Sequence, residues 1–353
     1  MVHPINLSVY GYSILSIETF ASCDMRCSFC AFPLRKDKGI LLEDEMVYKL
    51  IDAIDPNEKF EHVCLSHYNE PLLDKRIFKF IRYARDRKVP TLLITNGTHF
   101  QNPDCLNELV AAEPSKVKIS LQTLNKTIFK KARGIDMDFK KYTAGVISYL
   151  NAVIGKTTRV TIDVGCNYMP PFKRILRSVL GLEHGDPSMY NTVQALRNDV
   201  VLFFKNLMAS NASIKIDFNK LDEYLEGAPS DYLEQSGFSV AQNVNFKVKR
   251  FIYGRRLTDF YPVRSNKKCG TRILGVLSSG NVMPCCLGYG DMFGLGNIKK
   301  EALHSILERN KSVFERIHSG INKPSICNTC FGAPTVRGQF IKRLVFRLTG
   351  NRA

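Results

Sequence analysis

Ile14-Leu15-Ser16-Ile17-Glu18-Thr19-Phe20 runs, after Ala21-Ser22, into Cys23-Asp24-Met25-Arg26-Cys27-Ser28-Phe29-Cys30. The first stretch is apolar and rich in β-branched residues, which predicts a strand ending just before three closely spaced thiols. In α/β folds ligands gather where strands end, so this order puts the thiols where chemistry is expected. Three thiolates can hold three irons of a four-iron cubane and leave the fourth open to another ligand, whereas clusters that only carry electrons normally take four cysteines.

Outward from this stretch, runs of β character alternate with runs of helical period. Strands are expected at residues 62–67, 91–95, 117–121, 159–164 and 214–218, and helices at 43–54, 75–87, 138–154 and 191–208. With the first strand that makes six. The alternation predicts an α/β fold, either an α/β barrel or an open doubly wound sheet. From 221 to 267 the pattern weakens and turns polar and aromatic, as expected of a bridge to a cysteine-bearing C-terminal module. No internal repeat or low-complexity tract is visible.

The 353 residues are 44% hydrophobic and 24% charged, an ordinary globular balance. This length exceeds the roughly 250–300 residues at which single cores stop growing, so a catalytic domain with a smaller appendage is expected. No run approaches the roughly 20 apolar residues of a membrane span, and Met1 to Tyr12 lacks the charged-then-apolar order of a secretion signal, so a cytoplasmic location is expected. There the 11 cysteines point to metal rather than disulfides. Cys64, Cys105 and Cys166 stand alone and read as small buried residues. Cys269, Cys285, Cys286, Cys327 and Cys330 form a distal group. The net charge of +17 favours acidic partners. Lys and Arg are scattered, so no dedicated nucleic-acid module is expected.

The spacing of the trio Cys23, Cys27 and Cys30, with Phe29 before the last thiol, resembles the defining motif of the radical S-adenosylmethionine superfamily. The resemblance implies a 4Fe-4S cluster whose open iron is chelated by S-adenosylmethionine, and reductive cleavage to a 5'-deoxyadenosyl radical that abstracts hydrogen from a substrate. It implies cofactor contacts by Phe29, Asn69, Glu70, Ser120, Gln122 and Arg133. Asn69-Glu70-Pro71 stands where the family carries a Gly-Gly-Glu-type motif for the cofactor's amino group, with Asn69 in place of a glycine. Thr95-Asn96-Gly97 looks like the turn that often ends the third strand in this family, and Gly97 permits positive φ. Ser120 and Gln122 share one strand face by period-two spacing. In relatives a polar residue on this strand and an Arg near an Arg-Gly pair hold the cofactor's ribose and carboxylate. Here Arg133-Gly134 supplies the Arg, whose guanidinium fork suits a carboxylate.

Cys269, ten residues, Gly280, four residues and Cys285, then Cys327-Asn328-Thr329-Cys330, resemble the SPASM or shorter Twitch extension of that superfamily, as do Leu295-Gly296-Asn297-Ile298 and the helical run 301–310. No cysteine follows Cys330. The resemblance implies one auxiliary iron-sulfur cluster, expected to be 4Fe-4S, held by Cys269, Cys285, Cys327 and Cys330. Four thiolates also satisfy zinc. Cys286 is left as a candidate hydrogen donor, substitute ligand or packing residue.

The organisation expected is a partial (β/α)6 barrel in residues 1–220, a bridge at 221–267, the SPASM/Twitch-like module at 268–335 and a tail at 336–353. The function implied is oxidation of a carbohydrate, aminocyclitol or similar small metabolite, served by a flavodoxin- or ferredoxin-type electron donor. Alternatives are maturation of a ribosomally made peptide and, more distantly, a zinc-stabilised nucleic-acid-binding protein. In the tail, Phe340, Ile341, Leu344, Val345 and Leu348 form a helical stripe beside basic residues. Docking of that stripe onto the body is expected, with peripheral membrane contact as the alternative.

Overall fold

The computed structural model describes residues 5–55, 59–166, 171–182, 189–227, 237–250 and 260–348. Parts of the expected bridge and the end of the expected tail lie outside them.

After a 3-10 turn at Leu7–Tyr10, strand β1 (Ile14–Ile17) is followed by α1 (Asp44–Asp52), β2 (His62–Cys64), α2 (Ile77–Asp86), β3 (Thr91–Thr95) and α3 (Pro103–Ala112). Then come β4 (Lys116–Gln122), α4 (Lys126–Arg133), α5 (Phe139–Val153), β5 (Arg159–Cys166), α6 (Pro171–Val179), α7 (Val193–Ser210) and α8 (Phe218–Gly227). A hairpin of β6 (Phe238–Ala241) and β7 (Val244–Arg250) leads to β8 (Ile273–Val276), β9 (Val282–Met283), α9 (Leu303–Arg309), α10 (Lys311–Ser319), α11 (Ser325–Cys330) and α12 (Val336–Leu348).

The strands form one sheet in the order β6-β7-β5-β4-β3-β2-β1-β8-β9. From β7 to β8 all neighbours are parallel; β6 on β7 and β9 on β8 are antiparallel edges. The sheet is therefore an open, partial barrel and not a closed one. Alternation sets its two faces. Leu15, Ile17, Leu93, Ile119 and Ile162 point outward and are fully buried, each such side chain contributing about 1.5–3 kcal/mol. The inner face is polar where chemistry is expected, with Ser16, Lys118, Ser120 and Asp163.

The strand expected at 214–218 does not form. Ile214 and Ile216 are buried while Lys215 and Asp217 are exposed, so the period-two pattern is real, but it belongs to an extended segment packed on the core without a ladder partner, and Phe218 already starts α8. The sixth strand of the parallel set is β7, in the segment expected to bridge. The C-terminal module in turn joins the core sheet through β8, which pairs residue by residue with β1 from Ile14–Ile273 to Ile17–Val276.

The tail helix α12 also departs from expectation. Its apolar stripe does not dock: Phe340 is 69% and Leu348 78% exposed. Polar atoms attach it instead. Arg337 donates to the Val179 carbonyl at 3.1 Å, Gln339 to the Pro262 carbonyl at 2.7 Å and Lys342 to the Gly332 carbonyl at 2.5 Å. Gly338 lies so close to Gly181 that a Cβ would meet its carbonyl oxygen at 2.2 Å.

Candidate functional site

The thiol trio lies on the loop after β1 and is clamped from several sides. Arg26 and Ser28 donate backbone N–H groups to the Arg133 and Ala132 carbonyls, at 2.9 and 3.0 Å, at the C-terminus of α4. Asn125 caps the start of this short helix, accepting from Thr127 and Ile128, and Gly134 ends it in left-handed geometry at φ +66°. A Cβ at Gly134 would also meet the Arg26 carbonyl oxygen at 2.5 Å, so both backbone conformation and space require glycine. On another side, Asp24 accepts from Asn96 Nδ2 at 2.7 Å and from the Thr98 hydroxyl at 2.6 Å. Below, the fully buried pair Glu18–Arg35 joins the end of β1 to the chain beyond the trio. Ser278 N–H and hydroxyl donate to the same carboxylate at 3.3 and 3.1 Å.

Glu70 follows β2 and is fully enclosed. Its carboxylate accepts from the Thr95 hydroxyl at 2.6 Å, Asn96 N–H at 2.7 Å and Leu72 N–H at 3.2 Å, while Glu70 N–H reaches the Ser22 carbonyl at 2.8 Å. Burial pushes its carboxyl up to about 7 against those hydrogen bonds. Glu70 thus ties the trio loop to the Thr95-Asn96-Gly97 turn, where Gly97 has φ +80° and Tyr142 donates to the Asn96 carbonyl at 2.7 Å. Asn69 Oδ1 accepts from His67 N–H at 2.9 Å, leaving Nδ2 buried without a partner.

Ser120 and Gln122 do meet, Gln122 Nε2 donating to Ser120 Oγ at 2.9 Å. Gln122 has φ +65° at a register shift in the β4–β5 pairing, a bulge of the kind that re-aims side chains near sites. Arg133 is buried against Cys27, with Nη1 donating to Sγ at 3.4 Å, Nη2 to the Ser120 carbonyl, and Phe29 5.8 Å from the guanidinium. Burial opposes its charge, but Cys27, Tyr142 and Cys23 more than compensate and raise its pKa. Its Nε is buried and unpartnered.

The second cysteine group is assembled from separate segments around Tyr12, whose hydroxyl donates to the Pro284 carbonyl at 3.0 Å. Burial raises the Tyr12 pKa, reinforced by Cys285, Cys269 and Cys327 close by. Burial likewise raises Cys285, with Cys286, Cys327 and Cys330 adding to it, and pushes Cys327 up to about 11, helped by Cys269 and Cys330. The fold therefore brings all five distal thiols into one neighbourhood, with Cys286 and Cys330 exposed. Gly280, at φ +90°, turns β8 into β9. Asn297 braces that turn through Ser279 and Asn281, which gives the Gly280 and Leu295-Gly296-Asn297-Ile298 signals a structural cause.

The two thiol sets sit at opposite ends of β1. At about 3.3 Å per residue, the run from Tyr12 to Glu18 separates them by on the order of 20 Å. Sequence reading passed over the residue that links them: the ring of the half-buried His67 sits between Ser16 Oγ at 3.0 Å and the Gly288 carbonyl at 3.1 Å, stitching the ends of β1 and β2 to the loop after Cys286. A Cβ at Gly275 would meet that ring at 2.9 Å. Tyr12, Asp24 and the Glu18–Arg35 pair were equally unmarked; only the small residue at Gly275 and the Asn96-Gly97 turn offered local signals.

Among the described residues no three Cys, His, Asp or Glu side chains converge as ligands of a single ion would. A cubane bonds each thiolate to a different iron and needs them farther apart. The residues fit such groups. Arg133, whose Nη1 contacts Cys27, keeps a buried unpartnered donor in Nε that an anionic cluster or amino-acid carboxylate would satisfy, and Asn69, next to Glu70, keeps a second in Nδ2. The thiols raised by burial at the distal group are ones whose ionisation a metal would favour. Cys64 and Cys166 are buried, as expected, and Cys105 is half-buried.

The model of the Radical SAM superfamily matches residues 17–167, and that of SPASM, an iron-sulfur cluster-binding domain, matches residues 268–331. The AdoMet-dependent heme synthase of Methanosarcina barkeri is 27% identical over 135 residues, 38% of each chain, so the match spans well under half of that relative. Streptococcus suis SuiB bound to S-adenosylmethionine aligns over 90% of this chain and 77% of its own at 13% identity and TM-score 0.48. BtrN in complex with AdoMet and 2-DOIA aligns over 88% of both chains at 12% identity and TM-score 0.41. The iron-sulfur character of the second domain answers the zinc alternative in favour of iron. The chain belongs to the radical S-adenosylmethionine superfamily with a C-terminal SPASM module, and its cofactors are a 4Fe-4S cluster, an auxiliary iron-sulfur cluster and S-adenosylmethionine.

Proposed function

We propose that the protein oxidises a hydroxyl-bearing small metabolite, a carbohydrate or aminocyclitol, by hydrogen abstraction. The trio Cys23, Cys27 and Cys30 holds the first cluster, and Cys269, Cys285, Cys327 and Cys330 the auxiliary one. When bound, the first cluster and S-adenosylmethionine supply a hydrogen-abstracting radical, and the second cluster an electron acceptor. The protein's own part is electrostatic and positional. Arg133 places a buried cation on Cys27, Glu70 and Asp24 fix the loop against the β3 turn, and Arg133 Nε and Asn69 Nδ2 remain as donors for the cofactor's acceptors. The observation that carries the reading is the pairing of a clamped, cation-backed thiol trio with a second thiol set at the far end of the same strand.

The surplus of positive charge suits an acidic flavodoxin- or ferredoxin-type donor. It also suits an anionic membrane at the surface of α6 and α12, where Phe172, Ile175, Leu176 and Val179 are exposed at helical spacing beside the bare stripe of α12, with Arg337, Arg343 and Arg347 alongside. Vesicles rich in anionic lipid should sediment the protein, and replacing Phe340 and Leu348 by Glu should abolish this; equal pelleting of the variant would remove the membrane from the account.

The test of the function is product analysis. Reduced, anaerobically reconstituted protein with S-adenosylmethionine and a panel of polyols should yield a product lighter by two hydrogens and carry deuterium from one carbinol carbon into 5'-deoxyadenosine. Turnover of peptides with every polyol inert would transfer the reading to peptide maturation.

A further inference from the structure

On the inner face of the sheet, Asp163 of β5 is 4% exposed and carries two lysines on one oxygen. Lys118 of β4 lies 3.1 Å from Oδ2, and Lys249 of β7 bonds the same atom. The other oxygen, Oδ1, is buried with no hydrogen-bond partner. A purely structural ion network would use both oxygens of a buried carboxylate, because leaving a buried acceptor unsatisfied is costly. Leaving one acceptor bare beside two ammonium groups gives the arrangement of a receptor, with an acceptor for a substrate O–H and donors for its oxygens.

The position is next to the chemistry. Asp163 pairs in register with Ser120, and the Ser120 carbonyl holds Arg133 against Cys27. Lys249 stands opposite Gly165 in the β5–β7 ladder, where no side chain separates it from Asp163. Both lysines retain some exposure, 28% for Lys118 and 20% for Lys249, so a ligand can reach them.

Charge narrows the class. Lys116, Arg159 and Lys247 lie along the same face, and Lys116 feels all three of Lys118, Lys247 and Arg159, so Asp163 answers several cations at once. Burial, then the neighbouring Lys118, pull the Lys249 pKa down in spite of Asp163. An anion placed there would relieve that repulsion.

We propose that Lys118, Asp163 and Lys249 bind a polyhydroxylated substrate bearing an anionic group, with Asp163 Oδ1 accepting a substrate hydroxyl and the two lysines holding a phosphate or carboxylate. This deepens the metabolite-oxidation reading and rests on it. Calorimetric titration of the anaerobically reconstituted protein with glucose 6-phosphate, glucuronate, glucose and inorganic phosphate tests it. Saturable binding of at least one charged sugar is expected, at least ten times tighter than glucose, and the phosphate and uronate arms identify the anionic group. Lys118→Gln and Lys249→Gln should each weaken that binding about tenfold, and Asp163→Asn should weaken glucose and the charged sugar alike. A structural network would instead lower the melting temperature of these variants while leaving affinity unchanged, which overturns the proposal, as does the absence of charged-sugar binding or binding of inorganic phosphate alone. Substrate-free cleavage of S-adenosylmethionine, followed on the same samples, separates the readings: its loss in the wild type condemns the radical function, whereas sugar binding speaks only to this site.

Discussion

The two thiol sites differ in who organises them. The trio sits on one loop whose backbone is fixed by α4, by the β3 turn and by Glu70, and its central thiol is already paired with a buried guanidinium. The distal set is gathered from a segment before β8, the end of β9 and the six-residue α11, with two of its thiols exposed. The core's hydrogen bonds hold the loop of the first site, whereas the second is drawn from three separate segments, so a metal there is expected to supply more of its order. Under the proposed assignment, three thiolates at the first site would leave one iron open to a cofactor, whereas four at the second would close its coordination.

The largest test of this contrast exchanges one thiol at each site. Cys27→Ala should lower substrate-free S-adenosylmethionine cleavage by on the order of a thousandfold or more, and Cys327→Ala should leave it within about threefold while blocking turnover. Release of 5'-deoxyadenosine measures both, and comparable losses in the two variants would break the contrast. Next come the glycines. Gly134→Ala incurs about 1–2 kcal/mol of left-handed backbone cost plus the clash with Arg26, so iron should be lost from the trio. Gly280→Ala, whose Cβ would meet Asn297 Oδ1 at 2.4 Å, should deplete only the auxiliary iron, as Mössbauer quantitation would show.

A smaller effect comes from the cation at each site. Arg133→Met should weaken S-adenosylmethionine binding about tenfold. Lys323, which lies near Cys327, Cys269 and Cys330, should when replaced by Met shift only the auxiliary reduction potential. The mildest test is chelation: removal of iron should release hydrogen-exchange protection in α11 first and leave β3 to β5 protected, because their order comes from packing.

Much of the core was legible because local pattern and tertiary role coincide there. The strand into Cys23, the expected strands at 91–95 and 159–164 and the helices α2 and α5 all carry the period their burial requires. The sequence misled at 214–218, where alternation records one-sided packing rather than pairing, and it hid β7 because a strand whose inner face is Lys247 and Lys249 does not read as apolar. The distal cysteines were legible by spacing, and the tail's stripe was visible, but its exposure follows from how polar atoms seat α12. His67, Asp24 and the Lys118–Asp163–Lys249 group escaped for a common reason: their partners are tens to hundreds of residues away, and no local period marks them.

The most direct measurement is electron paramagnetic resonance of the dithionite-reduced protein, prepared without oxygen, before and after S-adenosylmethionine is added. With Cys327→Ala removing the auxiliary signal, the remaining four-iron signal should shift in g value when the cofactor binds, and Cys27→Ala should abolish both signal and shift. A four-iron signal indifferent to S-adenosylmethionine, or one that survives Cys27→Ala, would contradict the assignment of the open iron to the trio.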